Sequence, residues 1–125
     1  MTRDRILIVE DDQQLSRLLI EILTASGYDV AAQDSVFGAA AVVRELHPSA
    51  VLLDLGLPFR PGTVLLTELK ADASTADVPV LIMSGFPEVL NEERRAMADA
   101  ILAKPFAIRE LLDAIRMACA SERRN

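Results

Sequence analysis

Short apolar runs alternate with longer segments of helical periodicity, and this alternation constrains the fold more than any other feature of the sequence. Runs rich in Val, Ile and Leu favour strands, whereas apolar residues spaced at i, i+3, i+4 and i+7 favour helices. Strands that alternate with helices pair in parallel within one sheet that is covered on both faces. Five strands are predicted, at residues 6–9, 29–32, 50–53, 80–83 and 100–103.

Five helices are predicted between and after these strands. The apolar face of the first consists of Leu15, Leu18, Leu19 and Ile22. Gly27 is predicted to end this helix in the left-handed conformation. The next three are predicted over residues 35–46, after Gly62 and over residues 88–97. The last is predicted after Phe106, and its buried residues are Ile108, Leu111, Leu112, Ile115 and Cys119.

Polar residues follow four of the predicted strands directly. They are Glu10, Asp11 and Asp12 after the first, Asp54 after the third, Ser84 after the fourth and Lys104 after the fifth. In such a sheet, ligands bind at the carboxyl ends of the strands. Two carboxylates held about 4 Å apart repel one another by about 4 kcal/mol in a surface-like dielectric. A hard cation relieves this repulsion, and Mg²⁺ prefers such oxygen ligands.

This set of residues suits phosphoryl transfer. A carboxylate can act as the nucleophile and form an aspartyl-phosphate. The protein then has to align the phosphoryl group and neutralise the charge on its oxygens. Mg²⁺, the Lys104 ammonium and the Ser84 hydroxyl are predicted to contact one phosphoryl oxygen each.

Four segments resemble the receiver domains of two-component response regulators. They are ILIVEDD at residues 6–12, VLLDLGLP at 51–58, VLIMSG at 80–85 and ILAKPF at 101–106. All four occur in order, and the resemblance covers nearly the whole chain. It implies a flavodoxin-like, doubly wound α/β fold with five parallel strands in the order 2-1-3-4-5 and five helices, as one domain over residues 1–125.

The same resemblance assigns roles to individual residues. It makes Asp54 the phosphoacceptor, Ser84 the switch hydroxyl and Lys104 the phosphate-binding lysine. Asp11 is expected to bind Mg²⁺ directly and Glu10 through water. The expected metal ligands are thus Glu10, Asp11, Asp54 and the backbone carbonyl of Gly56. The peptide bond between Lys104 and Pro105 is expected to be cis.

The resemblance also implies partners. A histidine kinase or histidine phosphotransfer protein would donate the phosphoryl group, and a downstream target or output domain would bind the face formed by the fourth helix, fifth strand and fifth helix. The chain would be a monomer or a phosphorylation-dependent dimer, and a switch rather than an enzyme. Two alternatives are an aspartate-nucleophile phosphatase and a phosphorylation-independent interaction module. A phosphatase of this kind usually has a second acid two residues after its nucleophile, whereas this chain has Gly56 two residues after Asp54.

Length, charge and composition exclude several other classes of protein. The 125 residues fit one domain, with no output domain visible. The net charge of -6 argues against direct nucleic-acid binding, which needs a basic face. The apolar runs are too short to cross a membrane. With Cys119 as its one cysteine, the chain cannot form an internal disulfide, and a cytoplasmic location is expected.

Individual predictions concern five further residues. Asp12 is predicted to cap the first helix. Ile101 stands where receiver domains often have an aromatic residue, so the response to phosphorylation is expected to involve a loop and the fourth helix instead. Phe86 is predicted to shield the phosphoryl group from water, and Phe59 to contact a partner. His47 is interpreted as a solvated loop residue.

Overall fold

The computed structural model describes residues 3–55, 62–85, 90 and 92–123. Within these ranges, five parallel strands form one sheet in the order β2-β1-β3-β4-β5, which confirms the predicted topology. The strands are β1 (Arg5–Val9), β2 (Asp29–Gln33), β3 (Ala50–Asp54), β4 (Val80–Ser84) and β5 (Ala100–Ala103). The helices are α1 (Gln13–Ala25), α2 (Ala39–Leu46), α3 (Gly62–Ala71), α4 (Glu92–Met97) and α5 (Ile108–Arg123).

Successive residues of the central strands belong to two different hydrophobic clusters, one on each face of the sheet. Leu7, Val9, Val51 and Leu53 pack with buried residues of α2 and α3, whereas Ile6, Ile8 and Leu52 pack with buried residues of α1 and α5. Because β3 and β4 are buried on both faces, neither shows polar alternation. The sheet therefore gives the polar residues at its carboxyl ends a rigid support.

Both ends of α1 form as the sequence predicts. The Asp12 side chain accepts hydrogen bonds from the N–H groups of Gln14 at 3.0 Å and Leu15 at 3.2 Å, which confirms its role as the cap. Gly27 follows the helix with a φ of 98°, in the left-handed region. The acid nearest to the start of α1 is thus occupied with the helix backbone.

Two apolar residues predicted to be buried are exposed instead. Leu18 of α1 is 51% exposed and Ile108 of α5 is 55% exposed. The core-facing row of α1 is Ser16, Leu19 and Leu23, which places Leu18 to one side of it. Ile108 is the first residue of α5, one turn before the buried Leu111. Leu18 and Ile108 instead line an open, mainly apolar cavity of about 410 Å³ between the two helices.

The starts of two other helices differ from the predictions or cannot be compared with them. α2 begins at Ala39 rather than at residue 35, because the Ser35 hydroxyl accepts a hydrogen bond from the N–H of Phe37 at 3.0 Å. Such a local bond competes with helix formation. α4 is described from Glu92, and most of residues 88–91 lie outside the described ranges.

The remaining predictions about α5 and the helices hold in part. Leu111, Ile115 and Cys119 are buried as predicted, whereas Leu112 is half-buried. His47 is exposed, as expected for a solvated loop residue. Within the described ranges, no helix combines the length and hydropathy that a membrane span requires.

Candidate functional site

The register of the sheet brings four strand ends to one edge. Val9 pairs with Leu53, so Glu10 and Asp54 leave β1 and β3 side by side. Backbone hydrogen bonds extend the strand pairing beyond the ends of β3 and β5. Leu55 N donates to Met83 O at 3.0 Å, and Lys104 N donates to Ser84 O at 2.8 Å. The side chains of residues 10, 54, 84 and 104 therefore start from adjacent positions on the sheet edge.

Three carboxylates gather at this edge. Glu10, Asp11 and Asp54 each offer an oxygen, and these oxygens lie within 4.8 Å of one another. Glu10 is 1% exposed and Asp54 is 4% exposed, whereas Asp11 is open to solvent. The cluster thus consists of two buried acids, Glu10 and Asp54, and one solvent-exposed acid, Asp11.

Lys104 provides a positive charge inside the cluster. Its Nζ donates a hydrogen bond to Asp54 Oδ1 at 3.1 Å and lies 3.8 Å from Glu10 Oε1. The peptide bond from Lys104 to Pro105 is cis, as predicted. A single ammonium group faces three acids, so negative charge remains in excess when all of them are ionised.

The pKa of Glu10 is raised from 4.5 to about 8. Burial is the largest cause, because it disfavours the charged form. A hydrogen bond from the protonated acid to Asp54 and the charge of Asp54 raise the pKa further. The N–H of Asp12, 3.2 Å from Glu10 Oε2, and the Lys104 ammonium lower it.

The residues of this edge fit a magnesium ion. As a carboxylate oxygen, Glu10 Oε1 is buried and accepts no hydrogen bond from any residue that the structure describes. A buried charged oxygen without a hydrogen-bond donor is unfavourable, and a metal cation would contact it more closely than Lys104 Nζ does at 3.8 Å. Mg²⁺ prefers carboxylate and carbonyl oxygens and keeps several water ligands, which suits a site that is open at Asp11.

Ser84 belongs to the same edge. It is the last residue of β4, is 5% exposed and pairs with Ala103, the residue before Lys104. The structure therefore brings together five of the six predicted site residues. The sixth, Gly56, lies outside the described residues, as do Phe59 and Phe86, and the expectations about these three remain predictions.

A polar cleft beside Glu10 was not anticipated from the sequence. It has a volume of about 430 Å³ and gives solvent an approach to the site from the β2 side. Its polar lining residues are Glu10, Gln13, Ser16, Gln33, Asp34 and Ser35. The sequence signal for this cleft is the polar run of Gln33, Asp34 and Ser35, which directly follows the second predicted strand.

Sequence comparison relates this edge to a known family. A family model described as the response regulator receiver domain matches residues 6–116. The chain is 37% identical over 115 residues to the DNA-binding dual master transcriptional regulator RpaA of Synechocystis, covering 90% of the chain and 47% of RpaA. It is 29% identical over 113 residues to the polar-differentiation response regulator DivK of Brucella ovis, covering 89% of the chain and 92% of DivK. The chain thus spans about half the length of the first of these relatives and nearly all of the second.

Solved structures share the fold. A sensor protein from Polaromonas superimposes with a TM-score of 0.87 at 28% identity, covering 97% of this chain and 99% of that one. A CheY-like response regulator receiver domain from Methylobacillus flagellatus superimposes with a TM-score of 0.84 at 27% identity, covering 94% and 99%. The likeness in each case covers more than nine tenths of this chain.

Proposed function

The chain belongs to the response regulator receiver domain family of two-component systems, and we propose that it is a switch that accepts a phosphoryl group on Asp54. One observation carries the proposal: Asp54 lies buried between two further acids and hydrogen-bonds the Lys104 ammonium at 3.1 Å. A purely structural ion pair would not need two additional carboxylates within 4.8 Å.

The proposed step is a transfer between two nucleophiles. An Asp54 carboxylate oxygen forms a bond to phosphorus while the bond from phosphorus to the donor's imidazole nitrogen breaks. The electron pair of the broken bond stays on the imidazole, so the phosphoryl group moves without an oxidant or a further reactant. Lys104 then exchanges its carboxylate contact for a phosphoryl oxygen, and the Ser84 hydroxyl can donate to another.

Mg²⁺ is the cofactor that we propose for this step. Asp11 and Asp54 would hold the ion directly and Glu10 through water, with the Gly56 carbonyl as the further expected ligand. When bound, the ion would neutralise charge that develops on the phosphoryl oxygens. Deprotonated Glu10 is the form that suits this role, because metal binding competes with the proton on a carboxylate.

The donor that we propose is a histidine kinase or a histidine phosphotransfer protein, and the receiver of the signal is a target or output domain. The face of α4, β5 and α5 is available for that contact, since none of the residues described in α4 is buried and β5 is an edge strand. Relatives of two lengths match the chain, which covers 47% of RpaA and 92% of DivK. We further propose that the protein is cytoplasmic and that this domain does not contact nucleic acid directly. It would be a monomer or a phosphorylation-dependent dimer.

Mass spectrometry of the intact protein tests the acceptor. Wild-type protein and Asp54→Asn are exposed to a small phosphodonor with Mg²⁺, and the added mass is measured over time. Wild type is expected to gain one phosphoryl group that is labile to base, whereas Asp54→Asn gains none. Asp99→Asn, a matched change far from the site, is expected to label like wild type.

Two results would contradict the proposal. Labelling of Asp54→Asn to the wild-type level would place the phosphoryl group elsewhere. Labelling that persists after chelation of Mg²⁺ would remove the metal from the reaction. Steady release of phosphate from a phosphomonoester would instead favour the aspartate-nucleophile phosphatase.

A further inference from the structure

Gly62, the first residue of α3, packs directly behind the end of β3. A Cβ atom placed on Gly62 would lie 3.0 Å from the backbone carbonyl oxygen of Asp54 and 3.3 Å from Leu53 Cδ1. It would lie 2.7 Å from Leu55 Cδ2, a distance that Cβ atoms in proteins essentially never show. A side chain at residue 62 would therefore require the Leu55 side chain to move, and the Asp54 carbonyl or the first turn of α3 to shift by a few tenths of an ångström.

Backbone conformation does not explain this glycine. Gly27 and Gly38 have φ values of 98° and 72°, in the left-handed region that favours glycine. Gly62 does not have a positive φ. Because alanine is the more favourable residue in a helix, helix propensity does not explain it either. The close approach to β3 is the property that requires glycine at this position.

The contact bears on the acceptor through its backbone. The Asp54 carboxylate has to lie 3.1 Å from Lys104 Nζ. It also has to stay within 4.8 Å of the other two acids, so that all three can contact one cation. Functional geometries of this kind tolerate displacements of only about 0.5 Å. The peptide that follows Asp54 is held on one side by the hydrogen bond from Leu55 N to Met83 O at 3.0 Å. α3 holds the same peptide from behind, at the Asp54 carbonyl.

We propose that Gly62 is a positioning residue for the phosphoacceptor, because its missing side chain lets α3 fix the Asp54 peptide and thereby the direction of the Asp54 carboxylate. The inference rests on the proposed function and adds a residue eight positions away from the acceptor. Of the three atoms near the absent Cβ, the Leu55 side chain is half-buried and can rotate away. The Asp54 carbonyl belongs to the backbone, so relief of the 3.0 Å contact requires a shift of the peptide that carries the acceptor or of the first turn of α3.

Gly62→Ala tests the proposal, with Gly85→Ala as its matched control. The control adds the same methyl group beside another strand end, where a Cβ would meet no atom of the described residues within 4 Å. At saturating Mg²⁺ we expect Gly62→Ala to take up the phosphoryl group from a small donor at least about tenfold more slowly than wild type. Its Mg²⁺ dissociation constant is expected to rise by at least about threefold. Gly85→Ala should match wild type in both measurements, and circular dichroism should show all three proteins folded at the assay temperature.

A second pair of variants separates the carbonyl contact from the Leu55 contact. Leu55→Ala removes the atom nearest to the absent Cβ, so Leu55→Ala/Gly62→Ala relieves the shortest clash and keeps the carbonyl contact. We expect the double variant to stay slow relative to Leu55→Ala alone, and it also serves as the test if the single Gly62→Ala variant does not fold. Equal rates for these two proteins would overturn the proposal, and so would a wild-type rate in folded Gly62→Ala.

The remaining outcomes are also decisive. Failure of both Gly62 variants to fold would assign the residue to folding alone, which overturns a positioning role. Absence of labelling in wild type would overturn the proposed function and this inference with it. Normal labelling of wild type together with normal labelling of the folded variants would overturn the inference alone.

Discussion

A lysine–aspartate pair lies at each end of the sheet, and the two pairs differ in how completely their charges are used. At the amino ends of the strands, Lys70 Nζ donates to Asp99 Oδ2 at 3.2 Å and to the carbonyl oxygens of Val78 at 2.9 Å and Ala76 at 3.3 Å. Asp99 Oδ2 also accepts from the N–H of Val80 at 2.7 Å. All three ammonium hydrogens have acceptors there, and the pair joins α3, β4 and the start of β5.

At the carboxyl ends the pair distance is nearly the same, but the surroundings are not. Lys104 Nζ lies 3.1 Å from Asp54 Oδ1, with Glu10 Oε1 at 3.8 Å and Asp11 in the same cluster. One ammonium group cannot satisfy three acids, and a carboxylate is left for a cation or a phosphoryl group to engage. The number of partners, rather than the ion-pair distance, distinguishes the satisfied pair of Lys70 and Asp99 from the pair of Lys104 and Asp54, where we propose that phosphoryl transfer occurs.

The largest expected effect concerns the pH dependence of stability without metal. The pKa of Glu10 is about 8 in the folded protein and 4.5 when the residue is solvated, so between these values the folded state holds a proton that the unfolded state lacks. The free energy of unfolding should therefore fall as pH rises from 4.5 to 8. At about 1.4 kcal/mol per pKa unit, the loss between pH 4.5 and 8 is at most about 5 kcal/mol.

Glu10→Gln isolates this contribution. The variant keeps the shape and cannot lose a proton, so its unfolding free energy in EDTA should lack this fall with pH. Urea unfolding of wild type and Glu10→Gln at several pH values between 5 and 8.5 measures the difference. Lys70→Met should keep the wild-type slope. Parallel curves for wild type and Glu10→Gln would show that Glu10 is not protonated in the folded protein.

The positions of the strands and of the site could be predicted for a physical reason. Strands covered on both faces are apolar over most of their length, so polar residues such as Asp54 and Ser84 mark where the apolar part of each strand ends. Because all the strands are parallel, these ends lie at one edge, and Glu10 and Lys104 had to join them. β3 and β4 in fact extend by one residue to include Asp54 and Ser84.

Other features depend on the fold in ways that local patterns do not carry. The apolar spacing of α1 suited Leu18 to the core, but the angle between α1 and the sheet decides which row of residues is covered. The contact of Lys70 with Asp99 joins residues 29 apart, and neither sequence neighbourhood indicates it. The raised pKa of Glu10 likewise arises from burial by the whole sheet rather than from the acidic run in which it lies.

Removing either lysine should have the next largest effect, and Mg²⁺ should distinguish the two changes. Lys70→Met removes the ammonium donor to two carbonyls and to the Asp99 carboxylate, which keeps only the hydrogen bond from the Val80 N–H among those described above. Because Asp99 is 43% exposed, we expect a loss of about 2 kcal/mol, below that for fully buried charged hydrogen bonds. Lys104→Met removes the cation from the acid cluster, where a bound metal can replace it. Saturating Mg²⁺ should therefore restore the stability of Lys104→Met but not of Lys70→Met, as urea unfolding would show. Equal restoration of both variants would mean that the acid cluster does not bind the ion in place of the lysine.

A pair of aspartate changes should have a smaller effect and sharpen the contrast in metal binding. Asp11→Asn removes a proposed ligand at the mouth of the cluster, and we expect the Mg²⁺ dissociation constant to rise by about tenfold or more, as losses at metal sites typically do. Asp99→Asn changes the amino-end pair and should leave that constant unchanged. Calorimetric titration or the Mg²⁺ dependence of the melting temperature measures both. Equal weakening by the two variants would mean that overall charge, rather than the acid cluster, attracts the ion.

The smallest expected effect separates a structural acid from the functional acids at the same end of the sheet. Asp12 follows two proposed metal-site acids, but its side chain accepts from the N–H groups of Gln14 and Leu15. Asp12→Ala should therefore lower the unfolding free energy by about 1 kcal/mol, the usual value for a lost helix cap. The Mg²⁺ dissociation constant should stay within about twofold of wild type, because the Asp12 N–H that contacts Glu10 remains. Asp12→Ser, which keeps a capping oxygen, should recover most of the stability. A large loss of Mg²⁺ affinity in both variants would instead place Asp12 among the metal ligands and make the whole acidic run functional.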